Sequence, residues 1–201
     1  MRARKFLLAI PLVLAALGGR AMADELSLSE VSDYFNSLGS VTADFTQYNA
    51  DGTTTGGTLY IKRPGRIRFE YDPPEEAMVI AGGGSLAVFD PRSNQGAARY
   101  PLNQTPLHII LEQNVDLTRE RMVVNHVFDG TYTRVTAQDP DHPEYGSIEL
   151  VFADPAVLAQ WIIRDNAGGR TVVNLERIQL GGNVPDSLFN ITYAERLWAE
   201  R

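Results

Sequence analysis

From Val41 to Leu180 the apolar residues fall mainly on alternate positions, in short runs separated by turn residues. That period fits a pleated sheet and almost nothing else. Val41, Ala43 and Phe45 alternate with Thr42, Asp44 and Thr46, and Ile67, Phe69 and Tyr71 alternate with Arg66, Arg68 and Glu70. Each run therefore has one dry face, and turn chemistry (Asp51-Gly52, Pro64-Gly65, Gly82-Gly83-Gly84, Asp90-Pro91, Asp129-Gly130, Asp139-Pro140, Asn166 to Gly169) joins it to the next. The runs predict strands at 41–46, 58–63, 66–71, 78–80, 86–89, 97–100, 122–128, 131–137, 147–152, 160–165 and 171–180. Ten or eleven strands with short connections make a mainly β domain built as an antiparallel meander.

Two segments depart from that period. Ser27 with Glu30 three residues later is a capping box, and Val31, Tyr34, Phe35 and Leu38 then follow helical spacing up to Gly39. Thr105 followed by Pro106 predicts a second, shorter helix to about Gln113, with Leu107, Ile110 and Leu111 on one side. Two helices cannot fill the hollow of a sheet this large, so the pattern fits either a curled sheet around a cavity or a fully packed sandwich.

The first 23 residues read as a secretory signal. Arg2, Arg4 and Lys5 precede the apolar run Phe6 to Leu17, and Ala21-Met22-Ala23 supplies a small-x-small cleavage site. Pro11, Gly18, Gly19 and Arg20 interrupt the run below membrane-spanning length. Cleavage after Ala23 predicts a product beginning at Asp24, one domain over 24–201. It would not be lipidated at its start, because position 24 is not cysteine.

The chain has no cysteine, so its stability rests on its core. It carries 18 basic and 25 acidic residues, and without the four basic residues of the leader the balance is about −11. That charge disfavours nucleic acid and anionic bilayers as partners.

Catalytic patterns are missing. Asp33, Asp44, Asp51, Asp72, Glu75 and Glu76 are scattered, and His108, His126 and His142 lack metal-ligand spacing. Gly83-Gly84-Ser85 is a hairpin turn rather than a nucleophile elbow or a phosphate loop. The sequence predicts no enzyme, metal or cofactor. One residue breaks the sheet pattern: Arg63 shares its parity with Leu59 and Ile61, at the edge of a dry face. It either bonds backbone carbonyls at an open helix end or extends to water.

Asp44-Phe45-Thr46-Gln47, then Gly57-Thr58-Leu59-Tyr60-Ile61-Lys62-Arg63-Pro64-Gly65, then Arg68-Phe69-Glu70-Tyr71 resemble the LolA-type outer-membrane lipoprotein carrier family. Leu86 to Pro91 and Thr105-Pro106-Leu107 with Ile110-Leu111 continue the resemblance in order.

The resemblance implies an incomplete β-barrel with short helices as a lid over an apolar cavity for acyl chains, acting in the periplasm as a monomer. Arg63 would be the lid latch. Phe45, Leu59, Ile61, Ile67, Phe69 and Tyr71 would line the cavity, and Leu107, Ile110 and Leu111 would cover it. Acylated lipoproteins would be the cargo, an inner-membrane lipoprotein-releasing transporter the donor, and an outer-membrane protein the acceptor. The same scaffold could carry another lipid or glycolipid, or serve as a sensor module. The end of the chain from Leu188 to Arg201 is short and charged, where many members of that family carry an added strand.

Overall fold

Among the described residues eleven strands join one antiparallel sheet. The computed structural model describes residues 24–93, 95–165 and 167–201. The leader reading (1–23) and Asn166 of the last turn lie outside them. The strands are β1 Ser40–Tyr48, β2 Thr54–Lys62, β3 Arg66–Tyr71, β4 Met78–Gly82, β5 Ser85–Phe89 and β6 Ala98–Pro101, then β7 Val123–Phe128, β8 Tyr132–Gln138, β9 Ser147–Ala153, β10 Val157–Arg164 and β11 Arg170–Leu180. Their order in the sheet is β6-β5-β4-β3-β2-β1-β11-β10-β9-β8-β7, so the chain steps outward from β1 to one edge at β6, crosses to the other edge at β7, and returns to pair β11 with β1.

That sheet is strongly curled. β3 and β10 stand four places apart, about 19 Å along a flat sheet at the usual strand spacing. Yet the rings of Phe69 on β3 and Trp161 on β10 meet edge to face at 6.2 Å. One apolar cluster accordingly takes in Leu59, Ile67 and Phe69 from one half of the sheet and Val135, Ile148, Leu150 and Trp161 from the other. The result is an incomplete barrel, mainly β, with β6 and β7 as its free edges.

Among the described residues three α-helices accompany it, one more than the sequence predicts: α1 Leu28–Ser37, α2 Leu107–Leu111 and α3 Ile191–Ala199. Helix α1 begins as expected, with the Ser27 hydroxyl accepting from the Glu30 amide and the Glu30 carboxylate accepting from the Ser27 amide at 2.8 Å. Its end differs, because Leu38 in an extended conformation terminates it and Gly39 is not left-handed. Helix α2 is five residues long and is not capped by Thr105, whose hydroxyl instead donates to the Leu102 carbonyl of a preceding 3-10 turn at 2.8 Å. This crossover spans the gap between the two sheet edges, which is why it closes the concave side.

The concave side is filled rather than hollow. Val31 and Phe35 of α1 and Ile109, Ile110 and Leu111 of α2 are buried in the same cluster as the inward residues of the sheet. Both α1 rings bear on Phe152 of β9, Tyr34 at 5.1 Å and Phe35 at 6.1 Å. Of the two expected forms the structure is the curled sheet, with its interior occupied by its own lining and by the helices.

Helix α3 explains the charged C-terminal stretch. Asn190 caps it, accepting from the Tyr193 amide, and Ile191 and Ala194 pack on the convex face against Met78, Ile80, Ala87 and Phe89. The signal for it lay in the Asn190 cap and the spacing of Ile191, Ala194 and Trp198. The segment leading into it passes so close to the sheet that a Cβ on Gly82 would lie 2.3 Å from the Phe189 carbonyl oxygen. Gly82→Ala should therefore displace this segment, with a loss of about 1–3 kcal/mol of stability, as overpacked sites show. Chemical denaturation together with faster proteolysis after Pro185 would show it, and an unchanged midpoint would refute this account of Gly82.

Candidate functional site

Arg63 lies in the tight β2–β3 turn, where Lys62 pairs with Arg66. Its amide donates to the Gly39 carbonyl at 2.9 Å, which places the residue beside the end of α1. Helices leave their last carbonyls without intrahelical partners. The guanidinium supplies donors to both helices at once: Nη1 bonds the Phe35 carbonyl of α1 and Nη2 bonds the Glu112 carbonyl that follows α2. A third link joins the same turn to α2, from the Gly65 amide to the Leu111 carbonyl at 2.8 Å.

Of the two sequence readings of Arg63, the structure therefore shows the bonded one. Burial pushes the guanidinium below its usual value, but an arginine stays charged at any physiological pH. Its Nε is buried without a partner among the described residues. The bonds that Arg63 makes are charge-assisted and link elements far apart in the chain.

Beneath the helices lies the predicted lining. Phe45, Leu59, Ile61, Ile67 and Phe69 are buried together with Ile110 and Leu111, each at most 6 % exposed, while Tyr71 and Leu107 are partly buried against them. Phe45 meets the rings of Phe69 and Tyr71 edge to face at 5.3 and 5.1 Å. The Tyr71 hydroxyl donates to Gln47 Oε1 at 2.8 Å, and burial pushes the phenol up to about 12, so it stays neutral. All nine predicted residues thus belong to one apolar assembly.

The sequence reading missed the far wall. Val135, Ala137, Ile148, Leu150, Phe152 and Trp161 complete the concave face from β8, β9 and β10. Their own period of two was visible, but only the pairing of β11 with β1 turns those strands toward the first half. Ile109, on the other side of α2 from the predicted stripe, is buried as well.

The histidines serve local contacts. His108 faces Glu112 at 3.2 Å, His126 Nε2 meets the Leu26 carbonyl at 2.8 Å, and His142 pairs with Glu144 at 3.0 Å. Among the described residues no group of three or more His, Cys, Asp or Glu side chains could hold a metal ion. What the geometry offers chemically is a large apolar interior under two helices whose C-terminal ends share one cation.

The family model described as outer membrane lipoprotein carrier protein LolA matches residues 36–192. The chain belongs to this family. Among LolA-family relatives, an outer-membrane lipoprotein carrier protein of Chromohalobacter salexigens is 28 % identical, covering 97 % of this chain and 96 % of that protein. One of Pseudomonas putida is 27 % identical, covering 94 % of each. Solved structures with a similar outline include a LolA superfamily protein from Nitrosomonas europaea, at a TM-score of 0.42 and 14 % identity over 84 % of this chain and 99 % of that one. Another is a putative outer membrane lipoprotein-sorting protein domain from Vibrio parahaemolyticus, at 0.48 and 11 % over 86 % and 98 %.

Proposed function

We propose that this protein is a periplasmic carrier that takes up the acyl chains of lipoproteins beneath its lid and shuttles them from the inner to the outer membrane. Its family membership supports this reading, and the observation that carries it is Arg63 joined to both helices above a largely apolar concave face. On this reading the residues over 24–201 act as one carrier domain, the leader directs export, and the protein performs no catalysis. A lipoprotein-releasing transporter of the inner membrane is the donor, and an outer-membrane protein the acceptor.

The energetics suit such a role. Burying a methylene group is worth about 0.8 kcal/mol, so a single acyl chain with about a dozen buried methylenes gains roughly 10 kcal/mol. The interior is filled in the closed form, so cargo enters by lifting α1 and α2 and parting the lining from them. Each charge-assisted bond of Arg63 is worth about 1.5–3 kcal/mol. Closing the latch on the emptied protein therefore offsets part of the acyl gain, which lets a carrier surrender its cargo.

The test is reconstitution. The mature protein mixed with a detergent-solubilised triacylated lipoprotein, followed by detergent removal, should give a soluble one-to-one complex on size exclusion. The same lipoprotein without its acyl groups should not bind. Equal binding of the non-acylated form would replace the carrier with a protein-recognition module, and no complex with either form would remove the proposal.

A further inference from the structure

Helix α1 is tied to the segment that follows α2 by side chains that the sequence leaves unremarked. Asn36 Nδ2 donates to the Val115 carbonyl at 2.8 Å, and Asn36 Oδ1 accepts from the Val115 amide at 2.8 Å. One carboxamide thus pairs with both backbone groups of one residue, as a neighbouring strand would. One turn earlier on the same helix face, the Ser32 hydroxyl accepts from the Leu117 amide at 3.0 Å while donating to the Leu28 carbonyl at 2.7 Å. Ser32 is buried, as are Val115 and Leu117, which pack in the same cluster as Val31 and Phe35.

The two spacings match for a physical reason. Four residues of α-helix rise about 6 Å, and two residues of extended chain advance about 6.6 Å. Polar residues at i and i+4 of α1 therefore meet the amides at j and j+2 of a segment that covers a similar distance in two residues. Arg63 then bonds the ends of both partners, at Phe35 and Glu112.

We infer that α1, α2 and the segment through Leu117 form a single rigid flap, with Asn36 and Ser32 as the positioning residues that couple its halves. The flap lifts from the barrel as one body, breaking the bonds at Arg63 and Gly65 and keeping those at Val115 and Leu117. A partner or cargo that displaces α2 thereby lifts α1 as well. The inference rests on the reading of these helices as a lid, but its test needs no cargo.

Hydrogen exchange of the empty mature protein, resolved for single amides by NMR, separates one body from two. The Gly65 amide bonds across the boundary between flap and barrel, to Leu111, whereas the Val115 and Leu117 amides bond inside the flap. In the wild type the protection factors of Val115 and Leu117 should exceed that of Gly65 at least tenfold, because lifting exposes only the boundary. Asn36→Leu should bring Val115 down to the level of Gly65. Wild-type factors that are equal, or lower at Val115 and Leu117 than at Gly65, overturn the single flap, and this comparison stands even if the variant does not fold. A folded Asn36→Leu variant with an unchanged ratio also overturns it. Neither failure bears on lipoprotein binding, which the reconstitution tests separately.

Discussion

Arg63→Leu should hold its cargo about a hundredfold more tightly than the wild type while keeping its fold. Two charge-assisted bonds reach from Arg63 to the Phe35 and Glu112 carbonyls in the closed, empty form. Lifting the helices for cargo breaks them, so they stabilise the empty state alone. Together they amount to roughly 3 kcal/mol even at the low end of the range for such bonds, and 1.4 kcal/mol is a factor of ten in affinity. The fold should survive, because the residue sits in a turn at the end of β2 rather than in the core, and leucine removes the buried, unpartnered Nε as well. Back-transfer of a labelled lipoprotein to detergent micelles measures the effect. Wild-type release rates, or a collapsed thermal transition, would show that Arg63 is not a latch.

Trp161→Ala should cost about 3–5 kcal/mol, the usual penalty for truncating a large buried ring. Trp161 is 1 % exposed and holds the two halves of the curled sheet together through its edge-to-face contact with Phe69. For a chain of this length, that loss lowers Tm by roughly 10 °C. Trp198, the other tryptophan, lies on the convex side against Phe89 at 5.3 Å and makes a useful comparison. Its truncation should cost clearly less, since it is only partly buried. Calorimetry of the two variants would check the order, and equal losses would mean that the contact across the interior carries no special weight.

The sheet was legible because period two survives in strands such as β1, β3 and β8, whereas strand limits depended on residues that hide it. β2 begins at Thr54 rather than Thr58, and Thr54-Thr55-Gly56-Gly57 shows no apolar alternation that would mark those four residues as strand. A Cβ at Gly57 would lie 1.9 Å from the Glu70 carbonyl oxygen, so this glycine marks close strand approach, not a reversal. β10 likewise starts at Val157, before the predicted Gln160. Helix α3 was missed because its polar residues outnumber the few that touch the convex face.

The site was half legible. Parity placed Arg63 at the rim of the dry face, but no local pattern reveals that carbonyls 35 and 112 converge on it. Asn36 carried no signal, since an asparagine near a helix end usually faces water, and only the tertiary fold brings Val115 to it. The first-half lining followed from alternation. The far wall at Val135, Leu150 and Trp161 needed the closure of β11 onto β1, a contact far apart in sequence.

The central claim is that the interior carries the acyl chains of lipoproteins. Native mass spectrometry of the mature protein, released from its own host by osmotic shock, tests it most directly. The account predicts a population with one bound triacylated lipoprotein, lost when the acyl chains are removed. Recovery of the bare protein alone, or of the protein with only a small lipid, would contradict it.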